Sequence, residues 1–474
     1  MRTATSSFRR WINVVCAACA FGFCFLPASC HRSKEAAPVL ARVGERRIAV
    51  PQFIARCELA LRPPLSGPSL EQKKRLLELL IDEKLLALEA EQQGLARDEH
   101  LMEVTSLCAD LAAARALYAR EVQEKVSLSP EEISSAARRM AEVRTVQFFL
   151  TKDRGQAEAA HQQLLANGSF AQVLAASGTL APDTARFRFH ARWGDIEDAL
   201  DEALFGLQPG EISDVIKTSR GYVVCRVDSI ARSHILGETG AGELHHKAAK
   251  ILRARKEAAR SAAYVKQLMT TKKVEVEEEA FAVLADALVR HIDFSDRSLP
   301  PFAERQQLLS DDILVPSQKA IGTAAEMVVL RFSGGQWTIS DVLRRWRVLH
   351  PPVDVSSPAA CRASLVRILS TMVRDHFLAQ EAHRRGLYKH PQVRAETELW
   401  RDYFLAHRMQ ERLRKDGGPD FSLRRHLLLL RGRVAVEQDT TLLGSIDLTR
   451  LPVVAVRPGQ YGALVVPPWP EFSN

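Results

Sequence analysis

A chain of 474 residues is too long for one ordinary core and, at about 100–200 residues per domain, divides into about three. Hydrophobic residues at 46% and charged residues at 26% sit near the globular average, which excludes a chain that is disordered throughout. The net charge of +8 falls to +5 once residues 1–29, with three Arg and no acid, are set aside. Arg alternates with Glu along helical stretches, so the surplus describes a solvated surface and no nucleic acid is expected as a partner.

Arg2, Arg9 and Arg10 precede an uncharged stretch from Trp11 to Leu26, followed by Pro27-Ala28-Ser29-Cys30. This is the layout of a signal peptide over residues 1–30, and the stretch is shorter than the ~20 apolar residues that a spanning helix needs. The chain is therefore expected to be exported. Small residues directly before Cys30 resemble a bacterial lipoprotein cleavage box, which implies lipidation of Cys30 and a membrane held through an N-terminal lipid anchor. Leu26 stands one position further back than such boxes place it, and ordinary secretory cleavage or an uncleaved anchor are the other readings. Beyond the signal only Cys57, Cys108, Cys225 and Cys361 remain, widely spaced and without a Cys-x-x-Cys pair. Neither a disulfide framework nor a metal site is indicated.

Val39 to Ile48 reads as strand, turn, strand, and Pro51 opens a helix in which Phe53, Cys57 and Leu61 recur at helical spacing. From Ser69, Leu76, Leu77, Leu80, Ile81, Leu85, Leu86 and Leu88 recur at three and four, the pattern of an amphipathic helix. Gly94 breaks it and a second helix follows. The phrase from Leu86 to Leu95 returns as Leu378 to Leu387 with glycine at the same place, and Val43 to Phe53 has a counterpart in Leu330 to Val342. The chain is thus expected to hold two related helical modules. The first, 38–127, is expected to be completed by 241–280, through Lys273-Val274-Glu275-Val276-Glu277. The second, 326–440, is expected to be closed by its own Arg433-Val434-Ala435-Val436-Glu437. Residues 281–325 read as a linker, and residues 441–474 as a C-terminal tail that ends in Pro467-Pro468-Trp469-Pro470.

Residues 128–240 form an insertion in the first module. Ser129-Pro130-Glu131-Glu132 is a helix-opening cap. A strand over Val143–Leu150, helices near 155–167 and from Gly168, a helix through Ala203-Leu204-Phe205, and strands at Val215–Thr218 and Gly221–Val227 follow.

Ala203 to Ser213, then Thr218-Ser219-Arg220-Gly221-Tyr222, together with Gly168-Ser169-Phe170-Ala171, resemble the signature of the parvulin family of peptidyl-prolyl isomerases over residues 142–232. The flanking modules resemble the helical cradle of SurA-like periplasmic chaperones. The resemblance implies an α+β chain: mainly helical modules with a small antiparallel sheet wrapped by helices inserted between them. It also implies unfolded or nascent envelope polypeptides as partners, and no cofactor. A prolyl peptide bond rotates over a barrier of ~18–20 kcal/mol, lowered by an apolar grip on the ring and a few polar groups near the amide. The family supplies two His, a Cys or Asp, and a Met and a Phe.

Carried over by position, the two His correspond to Gln147 and Val223, the thiol or acid to Phe187, and the Met and Phe to Ile196 and Leu200. Phe149, Ile196, Leu200, Phe205 and Tyr222 are expected to line a peptide groove. The expected function is an envelope folding factor that acts mainly as a chaperone. The alternatives are an isomerase with non-standard catalytic residues and a structural lipoprotein that docks on an envelope assembly through its tail.

Overall fold

The computed structural model describes residues 37–60, 69–166, 168–176, 188–232, 238–294, 306–309, 311–418, 421–448 and 466–470. Cys30, the expected signal segment and Phe187 lie outside the described residues. In chain order the first elements are β1 (Val39–Val43), β2 (Arg46–Ala49), α1 (Val50–Leu59), α2 (Leu70–Gln92) and α3 (Glu99–Glu121). Next come α4 (Pro130–Met140), β3 (Glu142–Thr151), α5 (Arg154–Leu165), α6 (Phe170–Ala176), β4 (Arg188–Arg192), α7 (Asp198–Gly206), β5 (Ile216–Thr218), β6 (Gly221–Arg232) and α8 (Glu238–Met269). The last part holds β7 (Val274–Val276), α9 (Glu278–Arg290), β8 (Gln306–Leu308), α10 (Asp311–Ile321), β9 (Val328–Phe332), β10 (Gly335–Thr338) and α11 (Ile339–Leu349). It ends with β11 (Pro352–Asp354), α12 (Pro358–Arg384), α13 (Pro391–Asp416), α14 (Leu423–Arg433), β12 (Val436–Gln438) and α15 (Thr440–Ser445). The fold is mainly helical with small antiparallel sheets.

Two compact units divide the chain: Glu121–Ser261, and Met1–Arg120 together with Ala262–Asn474. In the larger unit α2 starts on a reciprocal cap, where the Ser69 hydroxyl accepts from the Gln72 amide and the Gln72 side chain accepts from the Ser69 amide. Its Leu77, Ile81 and Leu85, spaced at four, are buried with Phe53 of α1 and with Leu405 and Met409 of α13. Lys84 of α2 donates to Asp402 of α13 inside this contact. A second core joins Leu284 and Leu288 of α9, Ile313 of α10, Val342 and Trp346 of α11, and Leu365 and Phe377 of α12. Gly94 and Gly386, the glycines shared by the repeated phrases, adopt φ of 78° and 71°, and each starts a short 3-10 turn before the next long helix.

The closing strands are exchanged relative to the expectation. β12 pairs with β1, Ala41 opposite Gln438 and Val43 opposite Val436. β7 pairs with β9, Leu330 opposite Val276 and Phe332 opposite Val274. The flanking hydrogen bonds match as well: Gly44 donates to Ala435 and Asp439 to Leu40, just as Ser333 donates to Lys273 and Glu277 to Val329. Residues 241–280 therefore do not complete the 38–127 hairpin. They serve the 326–440 hairpin instead, and residues 436–438 serve the first. The two closing strands carry the same apolar alternation, so either could have filled either place.

Two further readings need correction. Within 281–325, α9 and α10 are core elements, with Leu284, Leu288, Ile313 and Leu314 buried. Both helices are short and flank a stretch rich in Pro and charge, which is the composition of a linker. The tail is not a free end either: Leu443, Ile446, Val466 and Trp469 are buried in the core built on α1 and α2. An exposed Pro-Pro-Trp-Pro docking epitope is thus not what the fold presents.

Among the described residues no helix is long and apolar enough to cross a membrane. Cys108, Cys225 and Cys361 are buried and Cys57 half-buried, and burial pushes the thiols of Cys57, Cys108 and Cys225 up to about 12.

Candidate functional site

The smaller unit is built on a four-stranded antiparallel sheet in the order β4-β3-β6-β5. β3 is rich in branched and aromatic residues, and α4 before it begins on the expected cap: the Ser129 hydroxyl accepts from the Glu132 amide, and the Glu132 carboxylate accepts from the Ser129 amide. The β5–β6 turn requires glycine at 221, where φ is 140° and a Cβ would run into the Thr151 carbonyl.

Strand alternation gives the sheet two faces. One bears Val146, Phe148, Phe189, Val223, Cys225 and Val227, and packs against Ala136 and Met140 of α4, Leu204 and Phe205 of α7, Trp193, and Ala248 of α8. Ile196 and Leu200 lie half-buried at its margin, and Phe148 meets Phe189 edge to face at 5.4 Å. The other face bears Phe149 and Val224 over Leu164 of α5 and Phe170 and Val173 of α6.

The predicted site residues divide between these faces. Ile196, Leu200, Phe205 and Val223 come together on the first. Gln147 and Phe149 belong to the second, and so does half-buried Tyr222, which alternates with Val223. The expected single groove is therefore two separate surfaces. The cause is register: Leu150 stands opposite Val223 and Gln147 opposite Arg226, an odd number of steps apart, with an irregularity between Thr145 and Val146.

Where the family pattern has its first imidazole, the Gln147 amide is held in a polar ladder. Its Nε2 donates to Asp228 at 3.0 Å and its Oε1 accepts from Arg226 at 3.2 Å. Arg188 of β4 meets the same Asp228 carboxylate at 3.1 Å, and Arg226 stacks over Phe170 at 5.6 Å. An amide so fixed has no proton to exchange near neutral pH. At the second position Val223 is an apolar core residue.

Two buried ionic groups shape the first face. The Arg144 guanidinium caps the end of α7, donating to the Leu204 and Leu207 carbonyls at 2.5 and 2.6 Å, and it stacks over Phe205 at 4.6 Å. Asp201, fully buried, accepts from the Gly194 amide at 2.7 Å and pairs with Arg255, which itself lies over Trp193 at 4.5 Å. Burial pushes the Asp201 carboxyl up, opposed by Arg255. Neither group was singled out from the sequence. The signal for Arg144 was its place in β3 at even spacing from Val146 and Phe148, which turns a charge inward.

With this geometry in view, residues 136–236 match the PPIC-type PPIase domain family. The chain carries a PPIC-type, parvulin-like domain within a helical frame, and it has structural similarity to bacterial PrsA and SurA-like foldases. Similar solved structures include the peptidylprolyl isomerase PrsA of Bacillus cereus, at 15% identity over 48% of this chain and 88% of that one, with a TM-score of 0.22. The foldase protein PrsA of Streptococcus pneumoniae shows 13% identity over 50% and 95%, with a TM-score of 0.23. One of two SurA-like chaperones of Campylobacter jejuni, PEB4 and Cj1289, shows 15% identity over 51% and 100%, with a TM-score of 0.21. No curated protein matches.

Proposed function

We propose that this chain is an extracytoplasmic protein-folding factor that binds unfolded, extended polypeptides, with the PPIC-type domain serving as a binding surface and not as an efficient isomerase. The observation that carries this is the pair of positions 147 and 223. An amide tied to Asp228 and Arg226 occupies one, a buried valine the other, and they face opposite sides of the sheet. What remains on the first face is the apolar margin of Ile196 and Leu200 beside Phe148 and Phe189, suited to gripping apolar side chains without assisting bond rotation.

The larger unit is read as two related helical modules, each completed by a strand from the other. The isomorphous registers of β1 with β12 and of β9 with β7 support this reading. Export through residues 1–30 and lipid attachment at Cys30 would place it on the periplasmic side of a bacterial envelope, held to the membrane by its acyl chain.

Two assays on the purified chain separate this from the isomerase reading. Aggregation of an unfolded envelope protein is expected to be suppressed near stoichiometric ratios, while isomerisation of a proline peptide proceeds at its unassisted rate. Rapid turnover of the peptide would sink the proposal; so would unaltered aggregation at a tenfold excess of the chain.

A further inference from the structure

The strangest burial in the larger unit is at its C-terminal segment. Val466, Pro467 and Trp469 are buried, Trp469 at 6% exposure, although Val466–Pro470 belongs to no helix or strand. Three of its five residues are proline and bring no amide hydrogen into the core, which lets an extended segment enter an apolar groove with mainly carbonyls to satisfy. A side chain waits for one of them. Arg56 of α1, at 0% exposure, donates to the Pro468 carbonyl at 2.8 Å and stacks on the Trp469 ring at 5.4 Å. Glu83 of α2, also at 0%, holds the guanidinium with contacts of 3.2 and 2.9 Å. Further along the same helix, buried Lys73 donates to the Ile446 carbonyl.

We propose that the groove between α1 and α2 is a binding site for extended peptides containing proline next to an aromatic residue, and that Val466–Pro470 occupies it in cis. The inference rests on the polypeptide-binding reading above and names the class of segment bound. Recognition is by main-chain carbonyl and ring, features any such segment shares, so the groove has no need of the chain's own sequence. The cis occupant also fits imperfectly. Among the described residues the indole Nε1 of Trp469 and the Nε of Arg56 are buried without a hydrogen-bond partner. An unmade buried bond costs more than a made one contributes, so a segment that offers acceptors to these two donors can compete with the tail.

The test uses the full chain, its W469A variant, and a fluorescent peptide with the sequence of residues 464–472. The variant is expected to bind the peptide saturably and at least tenfold more tightly than the unmodified chain, whose groove is filled. Adding R56M with E83L, which replaces the buried pair by apolar groups of similar size, is expected to abolish that binding. A folded W469A chain that binds no more tightly than the unmodified one overturns the proposal. Should W469A unfold, the unmodified chain with a protease site placed between residues 449 and 465 decides: after nicking, peptide either exchanges into the chain or, at millimolar concentration, does not, and the second result overturns it. Aggregation suppression is measured on the same samples. If it persists while peptide binding is absent, only this inference falls; if both are absent, the parent reading falls with it.

Discussion

Gln147 shows how little a single position says about chemistry until its neighbours are known. Counting from the family phrases places it at an imidazole position, and that correspondence is legible from residues alone. Its partners Asp228, Arg226 and Arg188 come from strands 41 to 81 residues away, and only pairing reveals them. Val223 carries the same lesson, since whether it faces Gln147 depends on one residue of register. Restoring both imidazoles with Q147H and V223H is therefore expected to leave peptide isomerisation at the unassisted rate, because the rings would stand on opposite faces. V223H should also lower stability by about 1–3 kcal/mol, the cost of an unpaired polar group in an apolar core. Denaturant unfolding of each single variant reads that loss; a double variant that turns over substrate would contradict the assigned register.

At the scale of elements, helices were the most legible part. Leu77, Ile81 and Leu85 declare one face of α2 by spacing alone, and Gly94 marks its end by a backbone angle that other residues avoid. The elements α9 and α10 are harder to read: Phe281, Leu284 and Leu288 recur at helical spacing in α9 but stand beside a Pro- and charge-rich stretch, and α10 is about three turns with Pro316 inside it. The closing strands failed for another reason. Nearness along the chain favours β9 for β12 but also favours the observed partner β9 for β7, and loop closure costs only about 0.6 kcal/mol per doubling of length, so nearness is weak evidence. The exchange makes an unusual prediction: V436P should strip amide-exchange protection from Val39–Ile48 while sparing Val328–Thr338, and V276P should do the reverse. Protection lost from Val328–Thr338 in V436P, or from Val39–Ile48 in V276P, would refute the pairing.

At the scale of the whole molecule, the unit Glu121–Ser261 contains its own sheet and both of that sheet's cores, whereas in the larger unit the sheet β12-β1-β2 joins the two ends of the described chain and β7 pairs across to β9. A fragment of residues 121–261 is accordingly expected to unfold in one cooperative transition. A fragment ending at residue 294 should keep that transition and lack ordered structure over 37–120, since β1 has lost β12 and β7 has lost β9. Circular dichroism melts with segment-resolved amide exchange distinguish the two; native-like protection over Val39–Ala49 in the fragment ending at residue 294 would show that β12 is dispensable.

The late arrival of β12 has a cost in time. About 390 residues separate Val43 from Val436, so at ~5–20 residues per second the first hairpin waits roughly 20–80 s for its third strand. Throughout that interval its open rim can recruit any passing extended chain, including another nascent copy. Until β12 arrives, the first hairpin thus needs shelter of its own.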